Sequence, residues 1–243
     1  MRIISCTILL ISMMSIENSV NAQSTKTDDL VLKYLVKEPS IKTAKLPVLI
    51  LLHGFGSNDQ DLFSMANQLP KEMLIISARA PYTLSQGSYA WFHVDLSTGK
   101  PIYNSEEAEK SRNIILQFID QIKTKYHAKD VYLMGFSQGA IMSYSVALTN
   151  PEKVNGIVAL SGRILTDIKP LIANQSKLEK LPIFIGHGTN DQTLPIFNGK
   201  AASAQCTNLH IPITYKEYSM GHEISQQEFI DIIEWFSKNF HLH

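Results

Sequence analysis

Residues 131–148 read VYLMGFSQGAIMSYSVAL: a short apolar run, the pentapeptide Gly135-Phe136-Ser137-Gln138-Gly139, then a longer and largely apolar run. The first run has the length of a buried strand and the second that of a buried helix. Between them stands a G-x-S-x-G, and its position matters more than its pattern. A serine on a sharp strand-to-helix turn is held at backbone angles that crowd its neighbours, and small flanking residues relieve the collision. Such a turn lifts the Ser137 hydroxyl out of the sheet and sets a helix amino terminus beneath it. A serine in an ordinary tight turn is the plain alternative, and the apolar runs on both sides oppose it.

Outward from this turn, short β-branched apolar runs alternate with longer amphipathic ones, the mark of a parallel sheet with helices on both faces. Six runs read as buried strands: Leu46–Leu52, Met73–Ser77, Val131–Met134, Gly156–Leu160, Pro182–Gly186 and Ile211–Tyr218, with Leu30–Val36 as an antiparallel edge strand. Residues 105–125 place Ile114, Ile115, Phe118, Ile119 and Ile122 at helical spacing, with Asn104 and Glu107 as a capping box. Residues 225–240 repeat the arrangement with Ser225 and Glu228 at the start and Phe229, Ile232, Ile233, Phe236 and Phe240 as the stripe. No repeat or long linker divides residues 23–243, which are expected to form a single domain.

A serine hydroxyl needs a base, and the base needs an orienting acid. The Pro182–Gly186 strand leads into His187-Gly188-Thr189-Asn190-Asp191, and the Ile211–Tyr218 strand into Ser219-Met220-Gly221-His222-Glu223. Asp191 and His222 therefore lie in loops at strand carboxyl ends, where open α/β sheets keep their chemistry. The order Ser137, Asp191, His222 is that of an α/β-hydrolase fold. His187 competes for the role of base but precedes Asp191 by only four residues, and is expected to be structural. Two backbone donors must face the oxyanion that forms on the attacked carbonyl. The loop His53-Gly54-Phe55-Gly56-Ser57 after the first buried strand supplies the Phe55 N–H, and the elbow supplies the Gln138 N–H. Asp59 and Asp61 are expected to cap the helix that follows.

The segments LLHGFGSNDQDL, GFSQGA, GHGTNDQTLP and MGHEIS, with AWF at 90–92, resemble the phospholipase/carboxylesterase family that includes the acyl-protein thioesterases. The likeness extends over roughly residues 30–240. It implies an α/β-hydrolase fold with a mostly parallel central sheet, no cofactor, and hydrolysis of carboxylic esters or thioesters. Ser137, Asp191 and His222 match the family's triad, Phe55 and Gln138 its oxyanion hole. Trp91 and Phe92 are candidates for the acyl pocket, with aromatic core packing as the alternative. The thioesterase branch commonly reads W-F-D where this chain reads Trp91-Phe92-His93. A carboxylesterase acting on small or medium acyl esters is thus the leading expectation. Lysophospholipase, acyl thioesterase and feruloyl-type esterase stand beside it, and a non-catalytic hydrolase-like binding protein is the reading from another class.

Composition agrees with a small-molecule ester as partner. The 243 residues are 44% hydrophobic and 18% charged with zero formal net charge, which argues against nucleic acid and against disorder. After the amino terminus no run is long enough to span a bilayer, so stable membrane insertion is not expected. The start does carry an address: Arg2, an apolar stretch from Ile3 to Met14, and Val20-Asn21-Ala22 read as an export signal cleaved after residue 22, delivering the protein to the periplasm or the exterior. A start at Met13 or Met14, giving a cytosolic form, is the alternative. Cys206 would then be the one remaining cysteine, a packing residue without a disulfide. The histidines show no metal-ligand spacing, and no metal is expected.

Overall fold

A computed structural model of the protein describes residues 25–26, 30–95, 97 and 101–239. The expected export signal at 1–22, and Phe240, lie outside the described residues. After a short strand β1 (Thr25–Lys26) that the sequence reading did not expect, the apolar runs become strands β2 (Tyr34–Lys37), β3 (Pro47–Leu52), β4 (Leu74–Ala78), β5 (Asp130–Phe136), β6 (Gly156–Leu160), β7 (Ile183–Gly188) and β8 (Ile213–Tyr218). They form one eight-stranded sheet in the order β1-β2-β4-β3-β5-β6-β7-β8. β3 to β8 are mutually parallel where they pair, while β2 runs antiparallel to β4 and β1 to β2.

β3 shows why the sheet needs two covered faces. Every residue of its PVLILL run is buried, a continuous rather than alternating pattern. Side chains on a strand alternate sides, so Val48, Ile50 and Leu52 join one apolar cluster and Leu49 and Leu51 another. Helices α1 (Ser105–Tyr126), α2 (Gln138–Thr149) and α3 (Phe197–Asn208) supply the first cluster with Phe118, Ile122, Met142, Tyr144 and Cys206. Helix α4 (Gln226–Asn239) and a 3-10 helix at Leu62–Gln68 supply the second with Trp235, Phe236, Leu62 and Phe63. Cys206 is buried, as expected of a packing residue, and burial pushes its thiol up to about 12.

The chain moves from β3 to β4 on one side, then crosses to β5 on the other side of β3. This reversal makes the carboxyl ends of β3 and β5 a topological switch point, the place where open α/β sheets bind ligands. Several elements escaped the sequence reading, among them a helix and two hairpins. Helix α3 buries only Gly199, Ala202 and Cys206, small residues that leave no apolar stripe. Two short hairpins, Tyr82–Ser85 with Ser88–Ala90 and Val94–Asp95 with Ile102–Tyr103, stand outside the main sheet. The edge strand begins at Tyr34 rather than Leu30.

Candidate active site

Ser137 joins β5 to α2 with φ 54° and ψ −114°, a conformation that side chains other than glycine seldom adopt. The two glycines of the pentapeptide are required by contact. A Cβ on Gly139 would stand 1.8 Å from the Leu52 carbonyl oxygen, and one on Gly135 would stand 2.3 Å from the Gly139 oxygen. Helix α2 is thereby pressed against the end of β3. The Ser137 N–H donates to the Leu160 carbonyl at 2.8 Å, which anchors the turn to β6.

The loops after β7 and β8 bring the other expected residues to this serine. His222 Nε2 lies 2.9 Å from Ser137 Oγ, and His222 Nδ1 lies 2.7 Å from Asp191 Oδ2. Asp191 is buried, and its Oδ1 accepts the N–H groups of Thr193 at 2.9 Å and Leu194 at 2.8 Å. Two backbone bonds stitch the loops together: the Thr189 N–H to Tyr218 O at 2.7 Å and the Asn190 N–H to Met220 O at 3.0 Å. The Phe136 ring packs 4.9 Å from the His222 ring. His187 hydrogen-bonds through Nε2 to the Leu194 carbonyl at 2.6 Å and so steadies the Asp191 loop, a structural place as expected.

The loop after β3 lies against the serine: a Cβ on Gly54 would stand 3.4 Å from the Ser137 Cβ. His53 holds this loop. It is fully buried, and burial lowers its pKa, which favours the neutral ring. The neutral tautomer that donates from Nδ1 to the Gly54 carbonyl at 2.8 Å leaves Nε2 to accept the Ala80 N–H at 3.1 Å. The Phe55 ring is 45% exposed and makes no claim on the loop's interior.

Trp91 and Phe92 need correcting as pocket-lining residues. They are 0% and 2% exposed, so neither ring offers a surface to a substrate in this structure. Their place is behind the loop after β3 and the elbow. Trp91 Nε1 donates to the His53 carbonyl at 3.0 Å, and the Gln138 side chain clamps the segment by accepting the Trp91 N–H and donating to the Phe92 carbonyl, both at 2.7 Å. Gln138 was singled out for its N–H alone, yet its buried amide joins the two halves of the site.

Asp59 and Asp61 also depart from expectation. Neither caps the 3-10 helix that follows; Asp61 sits at its start with no side-chain bond to it. Asp59, 1% exposed, instead takes Arg79 on both oxygens, at 2.9 and 3.1 Å, while Asp61 accepts from the Ser57 hydroxyl at 2.7 Å. Asn104 does cap α1 by accepting the Glu107 N–H at 3.1 Å. The Glu107 carboxylate leaves the expected box and accepts from the N–H of His93 at 2.8 Å, with the His93 ring nitrogen Nδ1 also at 2.8 Å.

Fold and geometry together define an α/β-hydrolase whose sheet edge carries a strained serine, a histidine and a buried carboxylate in hydrogen-bond contact. Residues 35–240 match the phospholipase/carboxylesterase family, and the chain belongs to it. It is 27% identical to acyl-protein thioesterase 1 of Kluyveromyces lactis over 79% of this chain and 91% of that protein. It is 26% identical to carboxylesterase SOBER1 of Arabidopsis thaliana over 78% of this chain and 89% of that protein. The crystal structure of a Bacillus cereus carboxylesterase superposes with a TM-score of 0.74, covering 86% of this chain and 95% of that one at 24% identity, a likeness of fold. The class is that of ester hydrolases.

Proposed function

We propose that the protein is a serine carboxylesterase that cleaves small or medium acyl esters through a covalent acyl-enzyme. The observation that carries this reading is the position of His222, within hydrogen-bond distance of Ser137 on one side and Asp191 on the other. In the proposed reaction His222 Nε2 takes the Ser137 proton as Oγ attacks the carbonyl carbon. Asp191 orients the ring and stabilises the imidazolium. The Phe55 and Gln138 N–H groups receive the negative charge on the carbonyl oxygen. The tetrahedral adduct expels the alcohol, which takes the proton from His222 Nε2. Water then attacks the acyl-serine with His222 again as base, and the carboxylic acid leaves.

Acyl thioester hydrolysis is a second reading, favoured by the relative named acyl-protein thioesterase 1. The chemistry of the serine is the same for both, and only the leaving atom differs. Export also belongs here: the pattern of residues 1–22 supports a secreted or periplasmic enzyme starting at Gln23, checked by sequencing the amino terminus of the protein recovered from each compartment.

The test is hydrolysis of a chromogenic acyl-ester series from acetyl to palmitoyl, with labelling by a fluorophosphonate, for the protein and its Ser137→Ala variant. Turnover and labelling that vanish together in the variant support the reading. Turnover that survives in folded Ser137→Ala overturns it.

A further inference from the structure

A backbone N–H stabilises an oxyanion well only if it is held in place before the charge develops. The Phe55 N–H follows Gly54, whose Cβ position is 3.4 Å from the Ser137 Cβ, and it has no partner among the described residues. Apolar packing does not hold this stretch of chain. Residues 55–61 read FGSNDQD; the one apolar ring is 45% exposed, and the one buried residue is a carboxylate, Asp59.

Two consecutive residues at the end of β4 grip the loop on either side of the Gly54–Phe55 peptide. Before it, His53 Nε2 accepts the Ala80 N–H at 3.1 Å. After it, Asp59 takes Arg79 Nε at 2.9 Å and Nη2 at 3.1 Å. A planar fork on two carboxylate oxygens fixes direction as well as distance. Arg79 is fixed in its turn: its backbone N–H donates to the Lys33 carbonyl at 2.9 Å, and its guanidinium carbon lies 4.8 Å from the centre of the Tyr89 ring with Nη1 3.3 Å from the hydroxyl.

Tyr89 belongs to the Tyr82–Ser85 and Ser88–Ala90 hairpin, and that hairpin is bonded to the tip of the loop. The Gly56 N–H donates to the Tyr89 carbonyl at 2.9 Å and the Tyr89 N–H to the Ser57 carbonyl at 2.8 Å. The Ser88 hydroxyl donates to the Gly56 carbonyl and the Asn58 amide to the Gly87 carbonyl, both at 2.9 Å. An ion pair with one partner 1% exposed and the other 25% is weak evidence for stability, since apolar replacements often serve a fold as well. A fixed geometry beside the nucleophile is what this pair supplies.

We propose that Arg79, Asp59 and Tyr89 are positioning residues for ester hydrolysis, which hold the Gly54–Phe55 peptide so that its N–H meets the oxyanion. The proposal rests on the serine-esterase reading above and on Phe55 as an oxyanion donor. The hairpin at residues 82–90 then contributes to turnover without touching the substrate. Its contribution exists only when negative charge sits on the former carbonyl oxygen, so losing it lowers kcat more than it raises KM.

Three variants test this. Arg79→Lys keeps a positive charge beside Asp59 but loses the fork; Tyr89→Leu removes the ring and hydroxyl but keeps the main-chain bonds; Asp59→Leu combined with Arg79→Met removes the pair without stranding a charge. Each is measured for kcat and KM on p-nitrophenyl butyrate, for inhibition by trifluoromethyl propyl ketone, and for its urea midpoint. Ser137 Oγ adds to the carbonyl carbon of the ketone, the serine proton passes to His222, and the ketone oxygen becomes an oxyanion where that of the ester would form. Arg79→Lys is expected to lower kcat/KM by about tenfold to 100-fold, less than the loss of a whole donor, and to raise the ketone Ki by the same factor. Tyr89→Leu falls on the same line with a smaller loss, and the double variant falls on it whatever its urea midpoint. Folded variants with kcat/KM unchanged, or with kcat/KM lowered and the ketone Ki unchanged, overturn the proposal and leave the esterase reading standing. A parent protein that hydrolyses no ester and takes no fluorophosphonate label overturns the esterase reading itself, and this proposal with it.

Discussion

Asp191 in the loop after β7 and Glu228 in the first turn of α4, on the flank of the same strand, are both buried carboxyl groups with contrasting surroundings. Asp191 accepts two backbone N–H groups on Oδ1 and faces His222 Nδ1 with Oδ2. Neither Glu228 oxygen has a partner among the described residues, and Oε1 lies over Gly186, 2.1 Å from where a Cβ would be. Burial, reinforced by the nearby Asp231, pushes the Glu228 carboxyl up to about 8. Asp231 is itself engaged by the Tyr218 hydroxyl at 2.7 Å and by Lys216 at 2.9 Å. Burial without a donor favours the neutral form of the Glu228 carboxyl. The loops at the carboxyl edge of the sheet supply donors to Asp191, and the flank supplies none to Glu228.

Breaking the partnered group has the largest expected effect. Asp191→Asn is expected to lower kcat by about 10⁴-fold, because the amide presents the wrong partner to His222 Nδ1. Steady-state kinetics on an ester, with circular dichroism as the folding control, measures it. Next comes the backbone contact that seats the serine. Gly139→Ala puts a methyl 1.8 Å from the Leu52 carbonyl oxygen and is expected to cost about 3 kcal/mol in stability, read from urea unfolding.

The unpartnered group is tested by pH. Glu228 binds its proton more tightly in the folded chain, about 8 against an ordinary 4.5, so its contribution to stability is full at acid pH and declines as pH rises from 4.5 through 8. The expected slope from this group is at most about 1.4 kcal/mol per pH unit, and it ends above pH 8. Glu228→Gln, which cannot ionise, is expected to flatten it in urea melts across that window. The smallest effect is expected from Phe55→Ala. The exposed ring goes but the N–H stays, so the loss in kcat falls below the roughly 100-fold that removing an oxyanion donor costs.

Glu228 also shows where sequence reading stops. Ser225 and Glu228 form a capping pattern, and half of it is realised: the Glu228 N–H donates to Ser225 Oγ at 3.2 Å. The carboxylate that a capping box sends back to the chain is instead buried against Gly186, since α4 docks with this turn on β7. Glu107 departs in the same way, its side chain claimed by His93 rather than by the helix start. A local motif gives the position of a side chain along its helix and says nothing of what packs over it.

Ser137 between two obligatory glycines, Asp191 and His222 in loops at strand ends, and the apolar periods of β3, β5, α1 and α4 were determined by the sequence alone. Each depends on spacing of a few residues, and spacing is written in the chain. Tertiary structure alone decided that Trp91 and Phe92 are core, that the Gln138 amide clamps them, that Asp59 holds Arg79, and that the Arg163 guanidinium lies over the Tyr103 ring. These pairings join residues 20 to about 60 positions apart on different elements, and only the packing of the sheet against its helices and hairpins sets which of many polar groups meet.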